Sequence, residues 1–324
     1  MNFPRRRFLQ LAAGAVAVPI SRIAWAQTYP ARPIRLIVGF AAAGGSDVSA
    51  RLLGQWLSER LGQPFVVENR PGAGSSIATE AVVNAPPDGY TLLVVTNANA
   101  VNATFYEKLN YNFMRDITPI AGFIAGPEVL EVNPSVPAKT LPEFIAYANA
   151  NPGKLNIASS GIGTGTHLSG ELLKTMTGVT IVHVPYRSTG PALTDLIGGQ
   201  VHATFTGLFE SIAFVKSGAL RALGVGTTTR SAALPDVPAI SEFLPGYEAT
   251  VWYGIGAPKN TPREIVEKLN REINIGLADP RIKSRIADLG GTPLPGSPAD
   301  FGKLIADETE KWGKVVRTAN IKAQ

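Results

Sequence analysis

Short apolar runs alternate with amphipathic stretches along most of the chain, and this rhythm restricts the fold more than any other feature. Ile34-Arg35-Leu36-Ile37-Val38 reads as a buried strand. Asp47 to Leu61 follows as a helix, with Val48, Leu52, Leu53, Trp56, Leu57 and Leu61 at helical spacing and Gly62 where a helix-ending glycine belongs. Phe65-Val66-Val67 and Tyr90 to Val95 are the next strands, with a helix over 75–84 between them. Strands at 155–158, 180–184, 201–206 and 220–225 continue the pattern. Thr140, Thr261 and Ser297 each stand three residues before an acid, the spacing of a capping box, and helices over 262–278 and 298–319 carry one apolar face. Strand–helix alternation predicts an α/β fold of doubly wound, mostly parallel sheets covered on both faces. No repeat or linker interrupts it, so two lobes would be joined by crossover strands, near 120–132 and 225–235. The expected division is 27–126 with 230–324 as lobe 1 and 127–229 as lobe 2.

The chain of 324 residues carries 30 Lys+Arg against 25 Asp+Glu, a formal charge of +5 that raises the question of nucleic acid. The excess is local. Residues 1–26 hold Arg5, Arg6, Arg7 and Arg22 and no acid, so the remainder has 26 basic residues against 25 acidic ones. That segment has a basic start, a weakly apolar run from Leu11 to Ile20 and an Ala24-Trp25-Ala26 cleavage pattern, which predicts a signal peptide cut after Ala26. Arg5-Arg6 followed by Phe8-Leu9 favours the twin-arginine route over general secretion. The apolar run is too short to span a bilayer. A periplasmic protein with no nucleic-acid partner is expected.

The chain has no Cys, which removes disulfides, thiolate metal sites and thiol nucleophiles. The informative segments are glycine-rich turns at strand ends, where open α/β sheets bind ligands. They are Ala41 to Asp47, Arg70 to Ser76, and Ser159 to His167. Tight turns use Gly and Ser without binding anything, but three such turns, two of them rich in hydroxyls, point to an anion site at helix starts. There is no Walker lysine motif, and the dinucleotide fingerprint fails because Thr166 stands where its third glycine belongs. Neither G-x-S-x-G nor H-E-x-x-H occurs. A periplasmic hydrolase would need a His beside an activated serine, for instance Ser160 with His167, and no oriented acid accompanies that pair. His183 and His202, in strand-like runs, read as packing residues, and Asp47 at a helix start reads as a cap.

Phe40 to Asp47 with Ala50-Arg51-Leu52-Leu53 opens an ordered series of motifs. It continues with Val67-Glu68-Asn69-Arg70-Pro71-Gly72-Ala73-Gly74, Pro87-Asp88-Gly89-Tyr90, Gly163-Thr164-x-x-His167-Leu168 and His183-Val184-Pro185-Tyr186. Pro191 to Val201, Leu234-Pro235-Asp236-Val237-Pro238 and Trp252-x-Gly254-x-x-Ala257-Pro258 complete it. In this order the chain resembles the substrate-binding proteins of tripartite tricarboxylate transporters, the Bug family, over essentially its whole length after the signal.

The resemblance implies a two-lobed periplasmic binding protein of the Venus flytrap type, not an enzyme, closing on a small organic acid without a cofactor. Its partners would be inner-membrane transporter subunits or, alternatively, a two-component sensor kinase, with the protein a monomer. Carried onto this sequence, the family's lobe 1 loop is Ala43, Gly44, Gly45, Ser46 and Asp47 after Phe40, and its lobe 2 loop is Ser160, Gly161, Gly163, Thr164, Thr166 and His167. Tyr186 is expected on the side wall. Two departures stand out. The family's paired glycines usually occupy the third and fourth positions after the Phe, where this chain has Ala43 and Gly44 with Gly45 next. Phe209 stands where the family more often has proline, and either stacks on an aromatic acid or packs in the core. The ligand itself, a dicarboxylate, tricarboxylate, amino acid or aromatic acid, is left open.

Overall fold

A computed structural model describes residues 29–106, 108–318 and 321. The expected signal peptide and its cut after Ala26 lie outside the described residues. The chain runs through β1 (Ile34–Val38), α1 (Gly45–Leu61), β2 (Phe65–Asn69), α2 (Ser76–Val83), β3 (Thr91–Thr96), α3 (Asn97–Phe105) and a single turn, α4 (Phe113–Asp116). It then enters β4 (Ile117–Val132), a strand of 16 residues. The second half is α5 (Leu141–Ala150), β5 (Asn156–Ser159), α6 (Gly165–Thr177), β6 (Val182–Pro185), α7 (Thr189–Ile197), β7 (Ala203–Gly207), α8 (Leu208–Lys216) and β8 (Arg221–Val225). After β9 (Thr250–Pro258) come α9 (Arg263–Ala278), α10 (Pro280–Asp288), β10 (Thr292–Pro293) and α11 (Pro298–Thr318).

The strand order is β2-β1-β3-β9-β4-β7-β5-β6, with β8 and β10 also on β4. The outer trios, β2-β1-β3 and β7-β5-β6, are parallel, as the crossover helices require. The middle is antiparallel: β9 runs against both β3 and β4, and β4 runs against β7 and β8. One strand therefore belongs to both halves. Residues 117–127 of β4 lie along β9, and residues 128–132 lie between β7 and β8. Its register against β9 shifts between Pro119 and Ala121, where a residue without an N–H fits a bulge.

Each half has its own core. In the first, Leu53, Trp56 and Leu57 of α1 pack with Ile34, Leu36, Val94 and Ile255 of the sheet. In the second, Phe144, Leu168 and Leu173 cover Leu130, Ile157 and Phe205. Fully burying such a side chain contributes roughly 1.5–3 kcal/mol. Residues 230–249, expected with the first lobe, instead supply Ile240, Tyr247 and Ala249 to the second core, and the Tyr247 hydroxyl donates to Ser169 O at 3.0 Å. The chain returns to the first half only at Ala249-Thr250, beside β4: Glu128 N–H donates to Ala249 O, and Gly226 N–H donates to Glu128 O.

The last helix serves both cores. Phe301 and Ile305 of α11 pack in the first half, and Trp312 and Val316 pack in the second. Gly254 makes this docking possible, because a Cβ there would meet the Phe301 ring at 2.2 Å. Ser297 and Asp300 form the expected reciprocal cap at its start. Thr261 does not cap α9. Its hydroxyl turns back to Pro258 O at 2.7 Å and Pro262 takes the cap position. No described helix is long and apolar enough to cross a membrane.

Candidate functional site

Five strand-to-helix junctions meet where the halves face each other. The starts of α1, α3 and α6 bring Gly44-Gly45-Ser46, Thr96-Asn97-Ala98 and Thr164-Gly165-Thr166. The starts of α7 and α8 bring Ser188-Thr189, Gly207 and Glu210, and Phe40, Glu128, Ser160, Val251 and Tyr253 complete the wall. Each helix start presents free N–H groups and about half a positive charge, so their convergence favours an anion. The space left between them is about 30 Å³, room for about one water.

The first loop owes its shape to an ion pair behind it. Asp47 accepts from Ala43 N–H at 3.0 Å, from Arg51 at 2.9 and 3.0 Å, and from Asn69 at 3.0 Å. Burial pushes the Asp47 carboxyl up, but the bonds from Arg51, Ala43 and Asn69 outweigh it and hold the carboxyl below its ordinary value. Asn69 also donates to Phe40 O at 3.0 Å, tying both ends of the loop to one node. Asp47 thus lies behind the site and off its surface. Ala43, at the first of the family's usual glycine positions, has φ 65°, the left-handed conformation that glycine adopts without strain. Gly44, the N-cap of α1, has no side chain to offer, and the Gly45 N–H is taken by the Glu210 carboxyl from across the space.

The second loop is built from hydroxyls. Thr164 caps α6, accepting from His167 N–H at 3.4 Å and donating to Gly161 O at 2.6 Å. Thr166 Oγ1 accepts from Ser160 N–H at 2.9 Å and lies 2.9 and 3.0 Å from the hydroxyls of Ser160 and Thr164. Ser160 therefore pairs with Thr166, and the Ser160–His167 couple is not assembled. His167 faces away from the space: Gly163 N–H donates to its Nδ1 at 3.2 Å, which leaves the ring proton on Nε2, and its ring stacks on His183 at 4.0 Å. Burial pushes His167 down to about 4 and His183 down to about 3, so both are neutral near pH 7. Ser159, which is buried, is hydrogen-bonded to His183 Nε2 at 2.6 Å. Gly163 also lies off the space, with φ 76° and the Phe105 ring 2.8 Å from where a Cβ would stand.

Larger spaces flank the junction. One of about 390 Å³ runs between Phe40, the turn Pro71 to Gly74, Tyr106, Gly161 and Tyr186. The Tyr186 hydroxyl donates to Asp195 at 2.6 Å, and burial, then Asp195, push it up to about 12. Another, of about 260 Å³, lies between Ala43 to Ser49 and the apolar Leu193, Phe209, Phe214 and Leu289. Phe209 is buried with the core of the first half, edge-on to Tyr253 at 5.4 Å, and also borders this second space.

The carboxyls were not foreseen. Glu210, on α8 of the second half, reaches across to the first: its Oε1 accepts from Gly45 N–H at 2.9 Å and from the Tyr253 hydroxyl at 3.0 Å. Burial pushes it up, against hydrogen bonds from Thr189, Tyr253, Gly45 and Gly207. Glu128 of β4 is fully buried, and burial pushes it up to about 8, with Glu210 and Glu308 adding to the shift and Ser169 opposing it. Among the described residues lining the space, Asn97 Nδ2, Glu128 Oε1 and Ser188 Oγ are buried without a hydrogen-bond partner. Buried polar groups are rarely left so, and three around one space mark a place for a polar guest.

Residues 49–321 match the family described as "Tripartite tricarboxylate transporter family receptor". The chain is 38% identical to Protein BugT of Bordetella pertussis over 315 residues, 96% of this chain and 95% of that one. Among solved structures, R. palustris Rpa4515 with adipate has a TM-score of 0.88 at 38% identity, covering 91% of this chain and 99% of that one. The periplasmic binding protein BugD has a TM-score of 0.87 at 32% identity, covering 91% and 100%.

Proposed function

For a chain that belongs to the tripartite tricarboxylate transporter family of receptors, we propose a periplasmic protein that captures a small carboxylate between its lobes and hands it to the transporter's membrane subunits. The observation that carries this reading is the convergence of helix starts from both halves on one space lined by unpartnered buried polar atoms. Amides and hydroxyls in that arrangement hold a carboxylate without a buried cation, and so without the cost of desolvating one. The adipate bound by Rpa4515 supports the ligand class.

The lobes would rotate about the places where chain passes between cores: β4 at Pro127-Glu128, β9 at Ala249-Thr250, and the middle of α11. Residues 230–249 would move with the second lobe. A bound carboxylate, touching both halves at once, favours the closed arrangement over the open one. Export by a signal peptide cut after Ala26 belongs to the same reading.

Thermal-shift and small-angle scattering measurements with mono- and dicarboxylates test it. A carboxylate of matching size should raise the melting temperature and compact the particle, with the molecule recovered intact. Gly165→Val should abolish both responses, since its Cβ would stand 2.0 Å from Asn97 Nδ2 and 2.7 Å from Glu128 Oε1. A carboxylate response undiminished in that variant would exclude this space as the site.

A further inference from the structure

Glu210 brings a carboxyl of the chain's own to a place where a ligand carboxylate is expected, an inference that rests on the carboxylate-receptor reading. It is the third residue of α8, and the bond it accepts from Gly207 N–H is one that a Glu there commonly makes to its own helix start. Capping accounts for that bond alone. Glu210 Oε1 also accepts from Gly45 N–H at 2.9 Å and from the Tyr253 hydroxyl at 3.0 Å, both in the first half, while Thr189 donates from the second. A backbone N–H can only donate, so Oε1 accepts from Gly45 whether or not the other oxygen carries a proton. Donors of both halves, two of them backbone amides at the starts of α1 and α8, thus already hold one carboxyl between them.

A second carboxylate cannot simply be added to this arrangement. The space beside Glu210 is about 30 Å³, room for about one water, whereas a carboxylate has three heavy atoms. Its wall includes no Lys, Arg or His to hold two carboxylates side by side. The flanking space of about 260 Å³ is bordered by both Gly45 and Glu210, and gives that side chain room to turn aside. We propose that Glu210 is a built-in competitor of the ligand: its carboxyl fastens the two halves together, and an incoming carboxylate takes over the Gly45 N–H as Glu210 turns away. Capture is then an exchange of one carboxyl for another. Affinity is reduced in proportion to the share of molecules that Glu210 holds closed.

Glu210→Ala and Glu210→Gln in the full mature chain test the proposal, by small-angle scattering without added acid and by calorimetry with succinate, malate, adipate and benzoate. Without acid, Glu210→Ala should give a wider particle than the unaltered protein, and acetate, which replaces the deleted carboxyl, should narrow it again. With whichever of the four acids the unaltered protein binds best, Glu210→Ala should bind about 10-fold tighter, the size expected for a charged hydrogen bond that no longer has to be broken. Glu210→Gln, which keeps an acceptor without the charge, should fall between the two. Tyr253→Phe removes one first-half donor and should shift affinity the same way by less, which reads the proposal even if both Glu210 variants fail to fold. Equal or weaker binding in the folded variants overturns the competition, and a Glu210→Ala particle no wider than the unaltered protein overturns the fastening; either result leaves the receptor standing. A wider Glu210→Ala particle that binds none of the four acids upholds the fastening and overturns the carboxylate reading.

Discussion

The loops at Ala43–Asp47 and Ser160–His167 have the same plan, a strand end, a glycine turn and a helix start, yet they are held in opposite ways. The first is fastened from behind by the Asp47–Arg51–Asn69 node, which leaves the Gly45 N–H open to a carboxyl from the other half. The second is fastened from within by Thr164 and Thr166, whose side chains line the space between the halves. One loop is braced by a charged scaffold with its Gly45 amide covered by Glu210, and the other is braced by its own hydroxyls. Similar sequence patterns are therefore held in shape by different means.

The sharpest way to break this comparison is Gly45→Val. A Cβ at Gly45 would stand 2.0 Å from Glu210 Oε1 and 2.6 Å from its Cγ, so Glu210 must swing away and the new side chain covers the amide, with circular dichroism checking that the variant is folded. We expect about 100-fold weaker carboxylate binding by calorimetry. Unchanged affinity would remove the first loop from the site.

Next in size are the scaffolds. Asp47→Ala should lower stability to chemical denaturation by about 2 kcal/mol, discounted because Arg51 is more than half exposed. Thr164→Ala should cost about 1 kcal/mol as a lost cap, but should weaken ligand binding more than Asp47→Ala does. The reverse order of binding losses would show that the first loop's shape, not the second's hydroxyls, governs affinity.

Acidity separates the two loops further. His167, at 6.5 when unperturbed and about 4 here, takes up its proton more readily in the unfolded chain, so its contribution is lost as pH falls from about 6.5 to 4. His183, stacked on it, extends the loss to about 3. Asp47, held low, fails only below the ordinary carboxylate range. Glu128 and Glu131, the latter a second buried acid of β4 that accepts from the Ser211 and Thr206 hydroxyls, work the other way. Raised to about 8 from 4.5, they stay protonated in the fold when the unfolded chain has released its protons, so stability falls as pH rises through that window. Melting temperature should therefore peak near pH 5–6.5, and His167→Gln should flatten the acid limb above pH 4 while leaving the alkaline limb in place. A melting temperature flat from pH 4 to 8 would contradict both assignments.

The smallest effect is expected from Ala43→Gly. Releasing a left-handed alanine should stabilise the protein by about 0.5–1 kcal/mol, with little change in affinity. Destabilisation would mean that Ala43 does not hold its left-handed conformation in solution.

The alternation of strands and helices was legible because it depends on local spacing, and β1, α1 and the outer parallel strands fall within a few residues of expectation. The antiparallel centre was not, since spacing says nothing about strand direction or about one strand serving two halves. Both glycine loops were found through their unusual composition. The junction at Thr96-Asn97 was missed, and that at Gly207 was read only for Phe209, because both follow strands with ordinary residues, although the same rule about strand ends covers them. Glu128 and Glu131 did leave a signal. Their odd spacing in an apolar run places them on opposite faces of a regular strand, so a sheet covered on both sides must bury them. Glu210 left none, because its reach to Gly45 spans 165 residues of sequence.

The last helix carries a consequence for how the molecule comes apart. Because α11 places Phe301 and Ile305 in one core and Trp312 in the other, neither core is whole without it. The two halves cannot melt as separate units, as lobes tied by strands alone could. Loss of this one helix would open both at once, and heat or denaturant should meet a single cooperative transition.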